Sequence, residues 1–215
     1  MLEQYQKTTL ILIRHGQASW GKSADFGRTA PLTDLGRKQV AGLASALRAG
    51  EPIDALYTSP FSRAVETADL LSDKLGLRSV VDPRLAEFEI EGARIERMEK
   101  GLDLLFWKPE HRSASGETLA AFCTRVATFC EDKARLHVGE RVAVVSHGGT
   151  IGATIRWSLG IGPEAPWEHD FEIPNASITE LEHWPSGRVK GGAPRYTSLL
   201  RVGDVKHLGG IATEF

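Results

Sequence analysis

Apolar residues fall along this chain in two alternating patterns. Thr9-Leu10-Ile11-Leu12-Ile13 and Val142-Ala143-Val144-Val145 are unbroken apolar runs, the signature of strands buried on both faces. The pattern predicts strands over residues 8–14, 54–58, 79–82 and 141–146. Between them, apolar positions recur at helical spacing. Residues 33–49 place Val40, Leu43, Ala44 and Leu47 on one face behind Thr33, a good N-cap. Residues 60–75 align Ala64, Val65, Ala68, Leu71 and Leu75, with Ser59 as the expected cap and Pro60 in the first helical position. Residues 116–137 carry the strongest stripe, formed by Leu119, Phe122, Cys123, Val126, Phe129 and Cys130. Strands alternating with helices predict an α/β three-layer sandwich, with a mainly parallel central sheet and helices on both faces. Residues 176–184 and 195–202 read as a hairpin that adds an antiparallel edge strand, joined through the turn-rich segments 185–188 and 191–194. Residues 88–115, charged and irregular around Phe106-Trp107, read as a lid-like insertion.

Composition narrows the class. The 215 residues fit one α/β domain spanning 1–215. With 41% hydrophobic residues, 25% charged residues, a net charge of −2 and no run of five like charges, neither a nucleic-acid nor a membrane partner is expected. The N-terminal residues lack the features of a signal peptide, and the apolar runs are too short to span a bilayer. Cys123 and Cys130 would lie about 10 Å apart along a helix, too far for a disulfide. They read as core thiols of a reduced compartment, and a cytoplasmic location is expected.

The chemistry gathers at the ends of the two apolar runs. Arg14-His15-Gly16 closes the first, and Ser146-His147-Gly148-Gly149 closes the second. Ligands of open α/β sheets bind at that edge, outside the carboxyl ends of the strands. In Leu56-Tyr57-Thr58-Ser59-Pro60-Phe61-Ser62-Arg63-Ala64 a strand gives way to a helix carrying Arg63 in its first turns, a good oxyanion trap. Two permanent cations and two histidines, with no acidic cluster nearby, suit a dianionic phosphate better than a divalent metal. No metal and no cofactor is expected.

These segments resemble the histidine phosphatase superfamily, also called the phosphoglycerate mutase-like family. The likeness rests on Arg14-His15-Gly16, Pro31-Leu32-Thr33-Asp34-Leu35-Gly36, Ser59-Pro60 with Arg63-Ala64 and Glu66-Thr67-Ala68, Arg84-Leu85-Ala86-Glu87, Gly116-Glu117-Thr118, Ser146-His147-Gly148-Gly149 and Pro174-Asn175-Ala176-Ser177. Their order runs from about residue 10 to 180. The resemblance implies that His15 is a nucleophile forming a phosphohistidine, and that Arg14, Arg63 and His147 hold the phosphoryl oxygens. It implies that Glu87 protonates the leaving oxygen and then activates water. Gly148 falls in the same substrate-binding set.

The sequence also departs from the family pattern. Trp20 fits the usual phosphate loop, but Ala18 stands in place of a threonine and Gly21 in place of an asparagine. Gln17 or Ser19 is expected to supply the missing contact. The run Phe88-Glu89-Ile90-Glu91-Gly92 is one residue off the common glycine spacing, so Glu89 stands as the alternative donor to Glu87.

Metal-independent hydrolysis of a small phosphomonoester is therefore the leading expectation. A phosphoglycerate-type mutase would use the same His15 but needs extra cations to grip a second anion. Residues 88–115 mix Arg94, Arg97, Lys100, Lys108 and Arg112 with Glu89, Glu91, Glu96, Glu99 and Glu110, which is not a dedicated clamp. A non-catalytic phospholigand-binding protein is a more distant alternative. The edge strand would permit a homodimer. His111, His137, His169, His183 and His207 show no metal-ligand spacing and read as surface or capping residues.

Overall fold

The computed structural model describes residues 6–19, 27–89, 107–184 and 196–211. The readings made for Trp20, Gly21, Ile90 to Phe106 and the turns within 185–194 lie outside them. Six strands form one sheet in the order β3-β2-β4-β1-β5-β6. They are β1 (Thr8–Arg14), β2 (Ala55–Thr58), β3 (Ser79–Val81), β4 (Arg141–Ser146), β5 (Ile178–Trp184) and β6 (Tyr196–Asp204). The first four run parallel, while β5 pairs antiparallel with β1 and β6 antiparallel with β5.

The unbroken apolar runs make sense once the layers are seen. Leu10 and Leu12 of β1, with Val142 and Val144 of β4, enter one core cluster. Ile11 and Ile13, with Ala143 and Val145, enter the other. Successive side chains of a strand point to opposite faces, so a central strand covered on both faces needs no polar alternation. Helices α1 (Asp34–Ala49) and α2 (Ser62–Leu75) cover one face. Helices α3 (Leu119–Leu136) and α4 (Gly148–Ser158) cover the other. Cys123 and Cys130 are free thiols in that second core.

The expected elements are present with three corrections. Thr33 caps α1 as predicted, its hydroxyl accepting from the Gly36 amide. Ser59 does not cap α2: the helix opens at Ser62, leaving Pro60 outside it. There the Ser62 amide donates to the Arg28 carbonyl at 2.8 Å, and the Ser59 hydroxyl turns to another partner. Helix α3 starts at Leu119 rather than 116, because Gly116 adopts a left-handed φ of 88° and Thr118 takes the cap. Helix α4 was not expected. It is buried along almost its whole length, so it shows no amphipathic period to read.

Candidate active site

The C-terminal ends of three neighbouring parallel strands deliver the central residues. Register pairs Arg14 with Ser146 and Thr58 with Val145. Backbone bonds continue the ladder by one step, His15 N to Ser146 O and Ser59 N to Val145 O, each 3.0 Å. His15, Ser59 and His147 therefore stand side by side. The loop after β1 is packed tightly onto α1, where a Cβ on Gly36 would lie 2.1 Å from the Gln17 carbonyl. Only glycine fits that approach.

His15 is 1% exposed, and its ring is held at both nitrogens. Nδ1–H donates to the Gly16 carbonyl at 2.7 Å, and Nε2 accepts from Arg63 Nε–H at 2.9 Å. A ring nitrogen that accepts from a guanidinium carries no proton. Burial, then the charges of Arg63 and Arg14, hold the His15 pKa well below its ordinary value. Arg63 is itself buried and gives Nη1 to the Gly27 carbonyl at 2.7 Å. His147 meets His15 edge-on, ring centroids 5.2 Å apart, and bonds through Nε2 to Ser59 Oγ at 2.7 Å. Its pKa is likewise lowered, by burial first and then by Arg63, His15 and Arg14. Arg14 donates from Nη1 to the Ile173 carbonyl.

The two candidate carboxylates part company. Glu87 accepts from the Phe88 amide and from the Gly149 amide in the first turn of α4, both at 2.8 Å. A Cβ on Gly149 would sit 2.5 Å from the Glu87 carboxylate, so this glycine is what lets the acid reach the end of β4. Withdrawal from water pushes the Glu87 pKa up, against those hydrogen bonds and the charges of Arg63 and Arg14. Glu89 lies in a side-on ion pair with Arg28, one arm being Nη2 to Oε2 at 2.7 Å. Hydrogen bonding to Arg28 holds its pKa below the usual carboxylate range. A proton donor has to start protonated, which suits Glu87 and not Glu89.

Other predicted contacts fall outside this cluster. Gln17 is bound to α1: its amide donates to Gln39, and its side-chain oxygen accepts from Thr33 at 2.7 Å. Ser19 is exposed, with its amide on the Pro31 carbonyl. Gly148 opens α4 directly after His147. Sequence reasoning missed the supports behind the nucleophile. The Gly16 amide donates to Thr67 Oγ1 at 3.2 Å. Asn175 Nδ2 donates to the His15 carbonyl at 3.1 Å, and the Ala176 amide to the carbonyls of Arg14 and His15. Ala176 holds a left-handed φ of 54° to do so. Two histidines read as surface or capping residues are packed into the fold: His183 is 2% exposed, and His207 Nε2 bonds to the Ala176 carbonyl at 2.9 Å.

Fold and site are of the histidine phosphatase type. The chain belongs to the histidine phosphatase superfamily, branch 1, whose family model matches residues 10–190. A Hydrogenobacter thermophilus protein bearing the name of a phosphoserine phosphatase is 35% identical over 182 residues, covering 80% of this chain and 88% of its own length. A Yersinia enterocolitica protein bearing the name of a phosphoglycerate mutase is 27% identical over 209 residues, covering 93% of this chain and 94% of its own. Among solved structures, YhfR of Bacillus stearothermophilus has a TM-score of 0.70 at 26% identity, with 94% of this chain and 99% of that one covered. An Entamoeba histolytica phosphoserine phosphatase in complex with 3-phosphoglyceric acid shares the fold at a TM-score of 0.68 and 21% identity, with the same coverage. Among the described residues, no helix is long and apolar enough to cross a membrane.

Proposed function

We propose that this protein hydrolyses small phosphomonoesters without a metal, through a phosphohistidine on His15. The observation that carries the reading is the hydrogen-bond pattern of that ring. With its one proton held on Nδ1 by the Gly16 carbonyl, Nε2 is left unprotonated beside Arg63. A depressed pKa keeps it so in mildly acidic solution.

In the first step Nε2 attacks phosphorus in line, and the bond from phosphorus to the leaving oxygen breaks. Glu87 gives its proton to that oxygen. Arg14, Arg63 and His147 carry the charge on the three phosphoryl oxygens. In the second step the Glu87 carboxylate takes a proton from water as the water attacks phosphorus. The N–P bond then breaks, returning neutral His15 and inorganic phosphate.

The test is p-nitrophenyl phosphate turnover in EDTA, across pH 4–9, for wild type and His15→Ala. Metal-free turnover lost in the variant supports the reading; loss of wild-type activity in EDTA with recovery only on adding a divalent cation overturns it. The mutase reading is kept by the relative that bears that name. A mutase would return the phosphoryl group to a second hydroxyl, so isomerised phosphoglycerate without phosphate release would favour it.

A further inference from the structure

We infer that Ser59 is a positioning residue that fixes the tautomer of His147, aiming an N–H from its Nδ1 at a phosphoryl oxygen. The inference rests on the proposed function and on a count of protons in one buried pair. Ser59 is fully buried and His147 is 1% exposed. Among the described residues, Ser59 Oγ has two hydrogen-bond partners: the Phe61 amide, which can only donate to it (3.3 Å), and His147 Nε2 at 2.7 Å. His147 Nδ1 is buried without a partner among the described residues.

Two arrangements are open to a neutral ring. If Nε2–H donated to Ser59, the hydroxyl proton would have no acceptor, and the Nδ1 lone pair would have no donor. Two buried polar groups would be left unmatched. If Ser59 donates to Nε2, its oxygen still accepts from Phe61, and the single unmatched group is an N–H on Nδ1. Each unmatched buried group costs about 1–3 kcal/mol, so the second arrangement wins. The group left over is then a hydrogen-bond donor on a ring in contact with His15, which is what an anionic phosphoryl oxygen requires.

The sequence offered Ser59 as a helix cap, and the structure releases it from that duty. Because β2 and β4 are adjacent, with Thr58 opposite Val145, the residue one step past Thr58 lies level with Ser146 and within reach of the His147 ring. Removing the hydroxyl frees the imidazole to put its proton on Nε2, turning a lone pair toward the phosphate. A histidine held in the wrong tautomer can cost as much as about 10⁴-fold in kcat. Here the nucleophile is intact and two arginines remain, so Ser59→Ala should lower kcat about 100-fold, the low end of what loss of one oxyanion donor costs.

The experiment has three arms. Imidazole ¹⁵N spectra of the wild type, with the His147 signals assigned by their loss in His147→Asn, should show a proton on Nδ1 and a bare Nε2. The opposite tautomer overturns the inference without recourse to any Ser59 variant. Turnover of p-nitrophenyl phosphate and affinity for orthovanadate are then compared in Ser59→Ala and Ser59→Thr. Ser59→Ala should lose kcat and vanadate affinity together, with a smaller loss of inorganic phosphate affinity, since the donor meets both but more strongly in the transition state. Ser59→Thr keeps the hydroxyl and should recover most of the loss. Wild-type kcat and vanadate affinity in a folded Ser59→Ala would overturn the inference. His15→Ala separates the two levels: residual turnover there rejects the phosphohistidine reading, whereas a dead His15→Ala beside an unimpaired Ser59→Ala rejects the role of Ser59 alone.

Discussion

His15 and His147 sit one step beyond paired strands: a ladder hydrogen bond to Ser146 fixes the His15 backbone, and the Ile151 amide of α4 holds the His147 carbonyl. Glu87 follows a short 3-10 turn, Pro83–Leu85, and is held by its carboxylate instead. The phosphate-holding side is therefore built from the backbone outward, and the proton-donating side from the side chain inward. Rigid elements make more precise sites than loops do. On the donor side the precision is supplied by α4, whose first-turn amide at Gly149 grips the acid. The two sides also push titration in opposite directions. Burial among arginines keeps both histidines neutral, while burial of Glu87 favours its proton.

The sharpest way to break this comparison is to remove the acid while leaving its hydrogen-bonding shape. Glu87→Gln should lower kcat for an alkyl phosphate about 10²- to 10⁴-fold, the usual worth of general acid–base catalysis. Formation of the phosphohistidine from p-nitrophenyl phosphate should suffer far less, because nitrophenolate leaves without help. The pH profile adds a sign. For wild type, kcat/KM should rise as His15 loses its proton, below the ordinary histidine value of 6.5, and fall as Glu87 ionises, above its ordinary 4.5. Glu87→Gln should erase the falling limb. Equal losses for good and poor leaving groups would remove Glu87 from the donor role.

Stability probes the other side. The folded protein refuses protons at His147 that the unfolded chain accepts near pH 6.5. Its contribution is whole above that pH and declines as pH falls through it, until the folded pKa is reached. The slope is about 1.4 kcal/mol per pH unit for one such group. His147→Asn should therefore gain on wild type by about 1 kcal/mol between pH 6.5 and 5.5, read from urea midpoints. A constant gap between the two proteins across that interval would show that His147 titrates normally in the fold.

This division also explains what was legible in the sequence. Strand-end histidines can be read because apolar runs on both sides of the sheet end abruptly at Arg14 and Ser146. The same logic gave β1 and β4 to the residue, and located Arg63. Helix α4 could not be read, since Thr150 to Trp157 are buried all round and leave no period. Ser59 was misassigned because a serine before Pro60 satisfies local capping rules, and only the adjacency of β4 redirects its hydroxyl. Glu89 stands beside Glu87 as a candidate because the run after Glu87 is one residue off the family's glycine spacing. Arg28, some sixty positions earlier in the chain, separates them by pairing with one.

That pairing sets a smaller prediction. The Arg28–Glu89 pair ties the segment whose Gly27 carbonyl holds Arg63 to the segment that follows Glu87. Arg28 is half exposed, so its ion pair is partly screened and worth little by itself. Glu89→Gln should leave kcat within about tenfold of wild type, well short of the loss expected for general-acid removal. A loss at Glu89 larger than that at Glu87 would reverse the two assignments.

The smallest effect is expected behind the nucleophile, where the last described residues reach the site indirectly. His207, in the short turn Lys206–Ile211, bonds to the carbonyl of Ala176. The Ala176 amide in turn braces the carbonyls of Arg14 and His15. Ala176 keeps a left-handed φ that costs an ordinary residue about 1–2 kcal/mol, so something has to hold the turn in place. Asn175 holds it as well, through its own bond to His15, and the sheet register fixes His15 independently. With that redundancy, His207→Ala should reduce kcat no more than about threefold and lower stability by about 1 kcal/mol, the net worth of one hydrogen bond. Thermal unfolding and p-nitrophenyl phosphate kinetics on the same sample check both. A kcat loss as large as that of Ser59→Ala would mean that the strand ladder does not hold His15 unaided, and that the phosphate-holding side, like the donor side, depends on side chains from elsewhere in the chain.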